Sequence, residues 1–189
     1  MLCLQKDGRD LACQTLEYGD MIMTASTVQP TRPDFAKSYG ISKKQEGLLS
    51  WEWVDEKMTK ANNYWICSVR PDGKPHAVPV SGIWLDGRLY YGGDRKARRT
   101  RNLALNPHAS LHLESADDVV LLEGIVEDVT DQEELHRVAH ALGAKFNSEV
   151  MIELSLNPLN VIQKLKPQVV LAWIEKDYSN TATRWVFEE

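Results

Sequence analysis

Tyr64-Trp65-Ile66-Cys67-Ser68-Val69, then Arg70-Pro71-Asp72-Gly73, then the run from His76 to Trp84, then Leu85-Asp86-Gly87 and Arg88-Leu89-Tyr90-Tyr91 succeed one another almost without spacers. The three apolar runs are rich in aromatic and β-branched residues and are separated by turn residues, which predicts three strands. Pro71 and Gly73 stand where a tight turn uses them, and Asp86-Gly87 marks a second turn. Connections this short force neighbouring strands to run antiparallel, as a meander. Outward from this core, His108 to Glu114 and Val119 to Val129 predict two more strands. In the first, Ala109, Leu111 and Leu113 face one way while His108, Ser110 and His112 face the other. Val161 to Leu165, Val169 to Ile174 and Thr183 to Phe187 predict closing strands. A helix with a broad apolar face is expected from about residue 50 to 62, carried by Trp51, Trp53, Val54, Met58 and Ala61. A capping box at Thr130-Asp131-Gln132-Glu133 starts another, with Leu135, Val138, Ala139 and Leu142 on one stripe and Gly143 at its end. Residues 145–160 carry no assignment. Many short strands with few helices predict a mainly β protein, a barrel or sandwich with peripheral helices.

The third strand runs into Gly92-Gly93-Asp94-Arg95-Lys96-Ala97-Arg98-Arg99-Thr100-Arg101-Asn102-Leu103. Residues 95–101 hold five cations and no acid, in a chain of net charge −5. From the basic cluster the chain can be helical as far as Asn106-Pro107. Glycines let a backbone approach a ligand closely, and the first turn of a helix offers free N–H groups to an anion. Arginine adds forked donors that match phosphate oxygens. A charge run by itself is usually a solvated surface, so the neighbouring elements decide its meaning.

At 189 residues the chain predicts one domain, large enough to bury about 70% of its unfolded surface. No apolar run reaches the roughly 20 residues that span a bilayer, and no signal-peptide pattern opens the chain. Cys3, Cys13 and Cys67 are widely spaced and odd in number, which predicts reduced thiols in a cytoplasmic protein and no structural zinc. The acidic balance argues against nucleic acid as a partner. Residues 1–40 lack periodicity and contain the loop signature Pro30-Thr31-Arg32-Pro33. Met21 and Met23 are alternative starts to Met1, with the first twenty or so residues as an upstream extension. The expected division is an N-terminal extension and loop over 1–44 and a cofactor-binding barrel over 45–189.

Other chemistry-bearing groups are sparse. Pro79 cannot donate to a sheet ladder, so it marks an edge, a bulge or a place where a planar ligand lies along Val78-Pro79-Val80. His136 and His140 have metal-ligand spacing on a helix but lack the glutamate of HExxH, and both flank the apolar stripe. His108 and His112 share a strand face as a polar pair. Neither GxSxG, nor a P-loop, nor GxGxxG is present. Arg184-Trp185 pairs a cation with a flat ring: either a strand residue packed in the core or a group that stacks on a flat anionic ligand.

Taken in order, Ser68-Val69-Arg70-Pro71-Asp72-Gly73-Lys74-Pro75-His76, Pro79-Val80, Arg98-Arg99-Thr100-Arg101-Asn102-Leu103 with Asn106-Pro107, and Glu123-Gly124 resemble the pyridoxamine 5′-phosphate oxidase-like split β-barrels. The closing Thr181-Ala182-Thr183-Arg184-Trp185-Val186-Phe187 resembles their flavin/deazaflavin oxidoreductase branch, and the resemblance covers about residues 45–187. It implies the FMN-binding split-barrel fold with peripheral helices, in a homodimer with two cofactors at the subunit interface. It implies that Arg99, then Arg98, grip the cofactor phosphate, that Asn102 supports it and that Lys96 adds charge. Val78, Pro79 and Val80 would line the flat ring, Tyr91 would end the strand that delivers the basic loop, and Arg184 and Trp185 would close the pocket. Ala97 stands where the family often has Ser or Thr, and Gly92-Gly93 replaces its Thr or Asn. Substrate residues of the vitamin B6 enzymes are not evident.

The resemblance leaves two cofactors. FMN needs one phosphate site, whereas the deazaflavin coenzyme F420 carries a phosphodiester and a polyanionic tail. Five cations are generous for one phosphate, so F420 is preferred and FMN is the alternative. The implied reaction is hydride transfer from the reduced ring to a small electron-poor molecule such as an enone or quinone, with the ring carrying the chemistry. No general acid can be named beyond His76 and Tyr91 as candidates. A flavin- or haem-binding carrier without turnover is the competing expectation.

Overall fold

A computed structural model describes residues 28–187; the readings on Cys3, Cys13, Met21 and Met23 lie outside them. The expected meander forms as β1 (Asn63–Val69), β2 (Pro75–Leu85) and β3 (Arg88–Asp94). Gly73 closes the first turn with its N–H on Arg70 O and a left-handed φ. Asp86 and Gly87 both take positive φ in the second, the geometry that suits a two-residue hairpin. The remaining strands are β4 (His108–His112), β5 (Asp118–Asp128), β6 (Asn160–Ile174) and β7 (Thr183–Val186). All pairings are antiparallel, in the order β3-β2-β1-β4-β5-β6-β7, and a β3–β6 pairing closes six strands into a barrel. The first half of β6 pairs with β3 and the second half with β7, while β5 follows it along most of its length.

The sequence predicts two strands where the structure has β6 alone. Pro167 is carried within the strand because it sits opposite Gly124, where the β5 register shifts. A proline is tolerated at such a bulge. Gly124 is required there, since a Cβ on it would collide with the Lys166 carbonyl.

Helices surround the barrel. In α1 (Trp51–Lys60) the Ser50 hydroxyl accepts from Trp53 N–H, and Val54 and Met58 point into the core. α2 (Arg98–Leu105) crosses the end of the barrel where β1 finishes. α3 (Gln132–Phe146) packs Val138, Ala139 and Leu142 against Tyr90 and Ile162 on the outer face of β3 and β6. α4 (Glu149–Leu156) lies within 145–160, for which the sequence predicts no element, and α5 (Tyr178–Thr181) precedes β7. No helix among the described residues is long and apolar enough to cross a membrane.

Two readings of α3 are corrected. Asp131, not Thr130, is its cap, accepting from Glu134 N–H at 2.7 Å. Gly143 does not end the helix, which runs to Phe146 and stops at Asn147 with φ 48°. Gly143 instead leaves room for Ile152 of α4, which a Cβ would strike. The segment before α1 is stitched to the barrel by Arg32, whose guanidinium donates to the carbonyls of Lys44, Glu46, Asn180 and Ala182.

α3 is also fastened electrostatically. Glu134 accepts from Tyr90 Oη at 2.8 Å and pairs with Lys164 at 2.9 Å, with both side chains largely buried. Burial pushes the Glu134 carboxyl up, but the bonds from Lys164 and Tyr90 outweigh it and hold it below its ordinary value.

These contacts make two glycines and one carboxylate testable. Gly124→Ala forces backbone apart and costs about 1–3 kcal/mol, read as a lower Tm. Gly92→Ala, whose Cβ would meet nothing nearer than 3.9 Å, leaves Tm unchanged. Because the Glu134 carboxyl is depressed in the fold, its contribution is present above the ordinary carboxylate range and fades as pH falls through its folded value. Glu134→Gln therefore lowers urea stability at pH 7 by roughly 1.5–3 kcal/mol, and the two proteins converge in acid.

Candidate functional site

β3 ends at the rim of the barrel in Gly92, Gly93 and Asp94, and the chain turns through Arg95 and Lys96 into α2. Asp94 fixes the turn: its carboxylate accepts from Lys96 N–H at 2.6 Å and its carbonyl from Ala97 N–H and the Thr100 hydroxyl. α2 then starts behind Ala97 with no side chain capping it. Its first N–H groups and the positive end of its dipole are left available to an anion.

Arg99 lies just inside this start and is 8% exposed. Its Nη2 donates to Gly92 O at 3.1 Å, and its Cζ sits 4.8 Å from the centre of the Tyr91 ring. A guanidinium has five N–H donors. Among the described residues only this one bond is made, and Nε is buried without a partner. Burial depresses the Arg99 guanidinium below its ordinary value, and it raises the Tyr91 phenol, which the Arg99 charge pulls back down in part. Gly93 makes the arrangement possible, because a Cβ there would run into Nη2. The surface-accessible arginine that a charge run suggests is therefore replaced by one tucked into the barrel end.

The other cations divide by role. Arg95 is tied to Pro158 O at 3.1 Å and lies 3.8 Å from Asp128. Lys96, Arg98 and Arg101 are exposed. Asn102 faces inward, and its amide donates to the Ser68 hydroxyl at 3.1 Å, pinning α2 to β1. It holds the helix in place from within the fold.

A pocket of about 340 Å³ opens beside the glycines, between the outer face of β2, β3 and β6 and the helices α3 and α4. Ser81, Gly92 and Gly93 form one side and Leu142, Met151 and Leu154 the other. The alternation of β2 separates the three residues expected to line a ring. Val80 is in the core and Val78 faces the same way, while only Pro79 is on the outer face. Pro79 pairs with Trp65 of β1, and the β3 pairing starts only at Gly82, so Pro79 stands on the open edge of the split barrel.

Arg184 and Trp185 are not brought to this pocket. Trp185 is 1% exposed and packs on Trp51 inside the barrel, because alternation turns Thr183 and Trp185 inward and Arg184 outward. Gly92 pairs with Ile162 of β6 and Arg184 with Leu171. Those partners stand far apart on one strand, roughly 30 Å along β6. Within one chain the C-terminal pair therefore belongs to the core and to the opposite end of the sheet. Tyr91 and His76, the candidate acids, also face the barrel interior and do not line the pocket. His136 and His140 are exposed on α3, and His112 stacks on Trp65.

Sequence reasoning misses Met151 and Leu154 as pocket residues. The signal is Ser148 followed by Val150, Met151, Ile152, Leu154 and Leu156, a cap and an apolar helix. Lys145, also missed, bonds Gly82 O at 2.9 Å next to Ser81 and so holds α3 against β2.

A family model for pyridoxamine 5′-phosphate oxidase matches residues 51–174. No curated protein matches the sequence. Among solved structures, a conserved hypothetical protein from Mycobacterium tuberculosis superposes with a TM-score of 0.63 at 20% identity, covering 71% of this chain and 91% of its own. The heme storage protein HutZ from Vibrio cholerae gives 0.53 at 19% identity, covering 60% and 87%. A heme binding protein from Mycobacterium smegmatis gives 0.51 at 22%, covering 64% and 53%. At these identities the likeness is one of fold. With a six-stranded antiparallel barrel, an added strand and a matching family model over most of the described residues, the chain belongs to the pyridoxamine 5′-phosphate oxidase family of split β-barrels.

Proposed function

We propose that the chain is an oxidoreductase that binds a flavin-type redox cofactor, with its phosphate at the start of α2 and its flat ring in the adjoining pocket. The observation that carries this reading is Arg99, a buried guanidinium with one hydrogen bond and an unpartnered Nε at an uncapped helix start. The residues present fit such a group: two glycines leave backbone open to it, and 340 Å³ falls in the range of small-molecule sites.

Three exposed cations, Lys96, Arg98 and Arg101, have no protein partner among the described residues. A single phosphate needs fewer, so a cofactor with a polyanionic tail uses them better. We therefore place coenzyme F420 first and FMN second. When bound, such a cofactor supplies hydride chemistry. The protein's part is to hold the phosphate through Arg99 and the α2 N–H groups, to keep the turn rigid through Asp94 and to shield one side of the ring with α4. With His76 and Tyr91 inside the barrel, the product's proton is supplied by solvent.

A homodimer accords with the outer sheet face. Trp65, Leu121, Ile125, Val169 and Leu171 point outward there and are only partly buried, with Val69 and Val186 exposed beside them. A second subunit covering this face would remove that apolar area from water and complete the pocket at an interface.

Arg99→Ala removes a charge-assisted contact and should weaken F420 binding about 10- to 100-fold by fluorescence titration. The far-ultraviolet circular dichroism should be unchanged, since the guanidinium makes only one hydrogen bond among the described residues. Arg98→Ala should weaken binding less. Equal affinity of wild type and Arg99→Ala would overturn the assignment.

A further inference from the structure

The inward face of the barrel finishes, at the end that α2 crosses, in a row of polar residues. Tyr91 of β3 stands opposite Gln163 of β6, and Gln163 stands opposite Asp128 of β5. Opposed residues share a face of the sheet, and two residues further in, that face carries Leu89, Leu165 and Val126 of the core. Tyr91 is 0% exposed and Gln163 2%. The Gln163 amide is oriented from the rim: its Nε2 donates to Asp128 Oδ1 at 3.1 Å, and Asp128 Oδ2 lies 3.8 Å from Arg95 on the basic turn. Gln163 Oε1 is thereby turned away from the rim.

Three polar atoms of this layer are sealed from solvent and have no partner among the described residues: Tyr91 Oη, Gln163 Oε1 and Arg99 Nε. Arg99 lies over the Tyr91 ring, and Tyr91 faces Gln163. Burial raises the Tyr91 phenol, Arg99 pulls it down and Asp128 pushes it up, so both charges act on one hydroxyl. Leaving such atoms unpaired is costly. Their chemistry says what satisfies them. Nε–H donates, an amide oxygen accepts, and a phenol does both. An anion here would face the lone pairs of Gln163 and the charge of Asp128, and a cation would face Arg99. One water accepts from Nε, donates to Oε1 and bonds Tyr91 Oη, about three bonds, as internal waters usually make. On Arg99 itself, Nη2 is taken by Gly92 O and Nε is sealed, whereas Nη1 has no bond among the described residues and is not sealed.

We propose that Gln163 is a positioning residue: through one internal water shared with Tyr91 it fixes Arg99 from inside the barrel, so that Nη1 is the nitrogen presented to the anion. The anion rests on the cofactor reading above; the buried row does not.

The test follows the arginine Nε–H signals of the isotope-labelled full chain without cofactor by two-dimensional NMR, with Arg99 assigned by the signal lost in Arg99→Ala. In wild type the Arg99 Nε–H should exchange with solvent at least about tenfold more slowly than those of the exposed Arg98 and Arg101. Gln163→Met, which keeps the volume and removes the amide, should abolish that protection. It should also weaken F420 binding about three- to tenfold. Tyr91→Phe should do the same, and the double variant should bind no more weakly than either single one, because both remove partners of one water. If Gln163→Met does not fold, Tyr91→Phe carries the exchange and binding comparisons. Unprotected Arg99 Nε–H in wild type, protection that survives Gln163→Met, or additive losses in the double variant would overturn the proposal while leaving the cofactor reading intact. If F420 does not bind wild type but protection is present and is lost in Gln163→Met, the cofactor reading fails and the seating of Arg99 stands.

Discussion

The fold and the candidate site both depend on how β3 ends. Up to Tyr91 the strand must pair with β2 on one side and β6 on the other, because that double pairing closes the barrel. At Gly93 it must carry no side chain, because Arg99 folds back over the Tyr91 ring and against the Gly92 carbonyl. Gly93 is the residue that permits both, since any Cβ there would meet the guanidinium. The same bare backbone forms one side of the pocket. Closure of the barrel, seating of the arginine and one side of the pocket therefore come together within three residues.

Arg99 is held in a way that is costly in isolation. A charge removed from water needs partners, and among the described residues this one has a single hydrogen bond and an aromatic face. Its position is instead imposed by the helix that carries it, which Asn102 pins to Ser68 and Thr100 pins to Asp94. Such a group is preorganised for an anion: little rearrangement is required, and a phosphate would supply the acceptors that the protein does not.

Much of this is legible in the chain. The hairpins announce themselves through Gly73 and Asp86-Gly87, and alternation in β4 identifies the barrel interior. The basic turn after two glycines points to an anion site. What fails does so for physical reasons. Pro167 looks like a strand break because a bulge is created by its partner, Gly124, which is distant in sequence. That Trp185 and Val80 lie in the core of the single chain is not legible, because strand parity decides which face a residue takes and parity is fixed only once register is known. Arg99 looks solvated because its burial comes from α2 crossing the barrel end, a tertiary event. α4 is missed because apolar residues that remain half exposed carry no amphipathic period to read.

The most direct test of the account is isothermal titration of the purified protein with F420 and with FMN under identical conditions and at two salt concentrations. The account predicts saturable binding of one molecule per chain, tighter for F420 than for FMN and weaker at high salt, because Lys96, Arg98 and Arg101 contribute through screened charge. Absence of binding by either cofactor, or binding indifferent to salt, would contradict it.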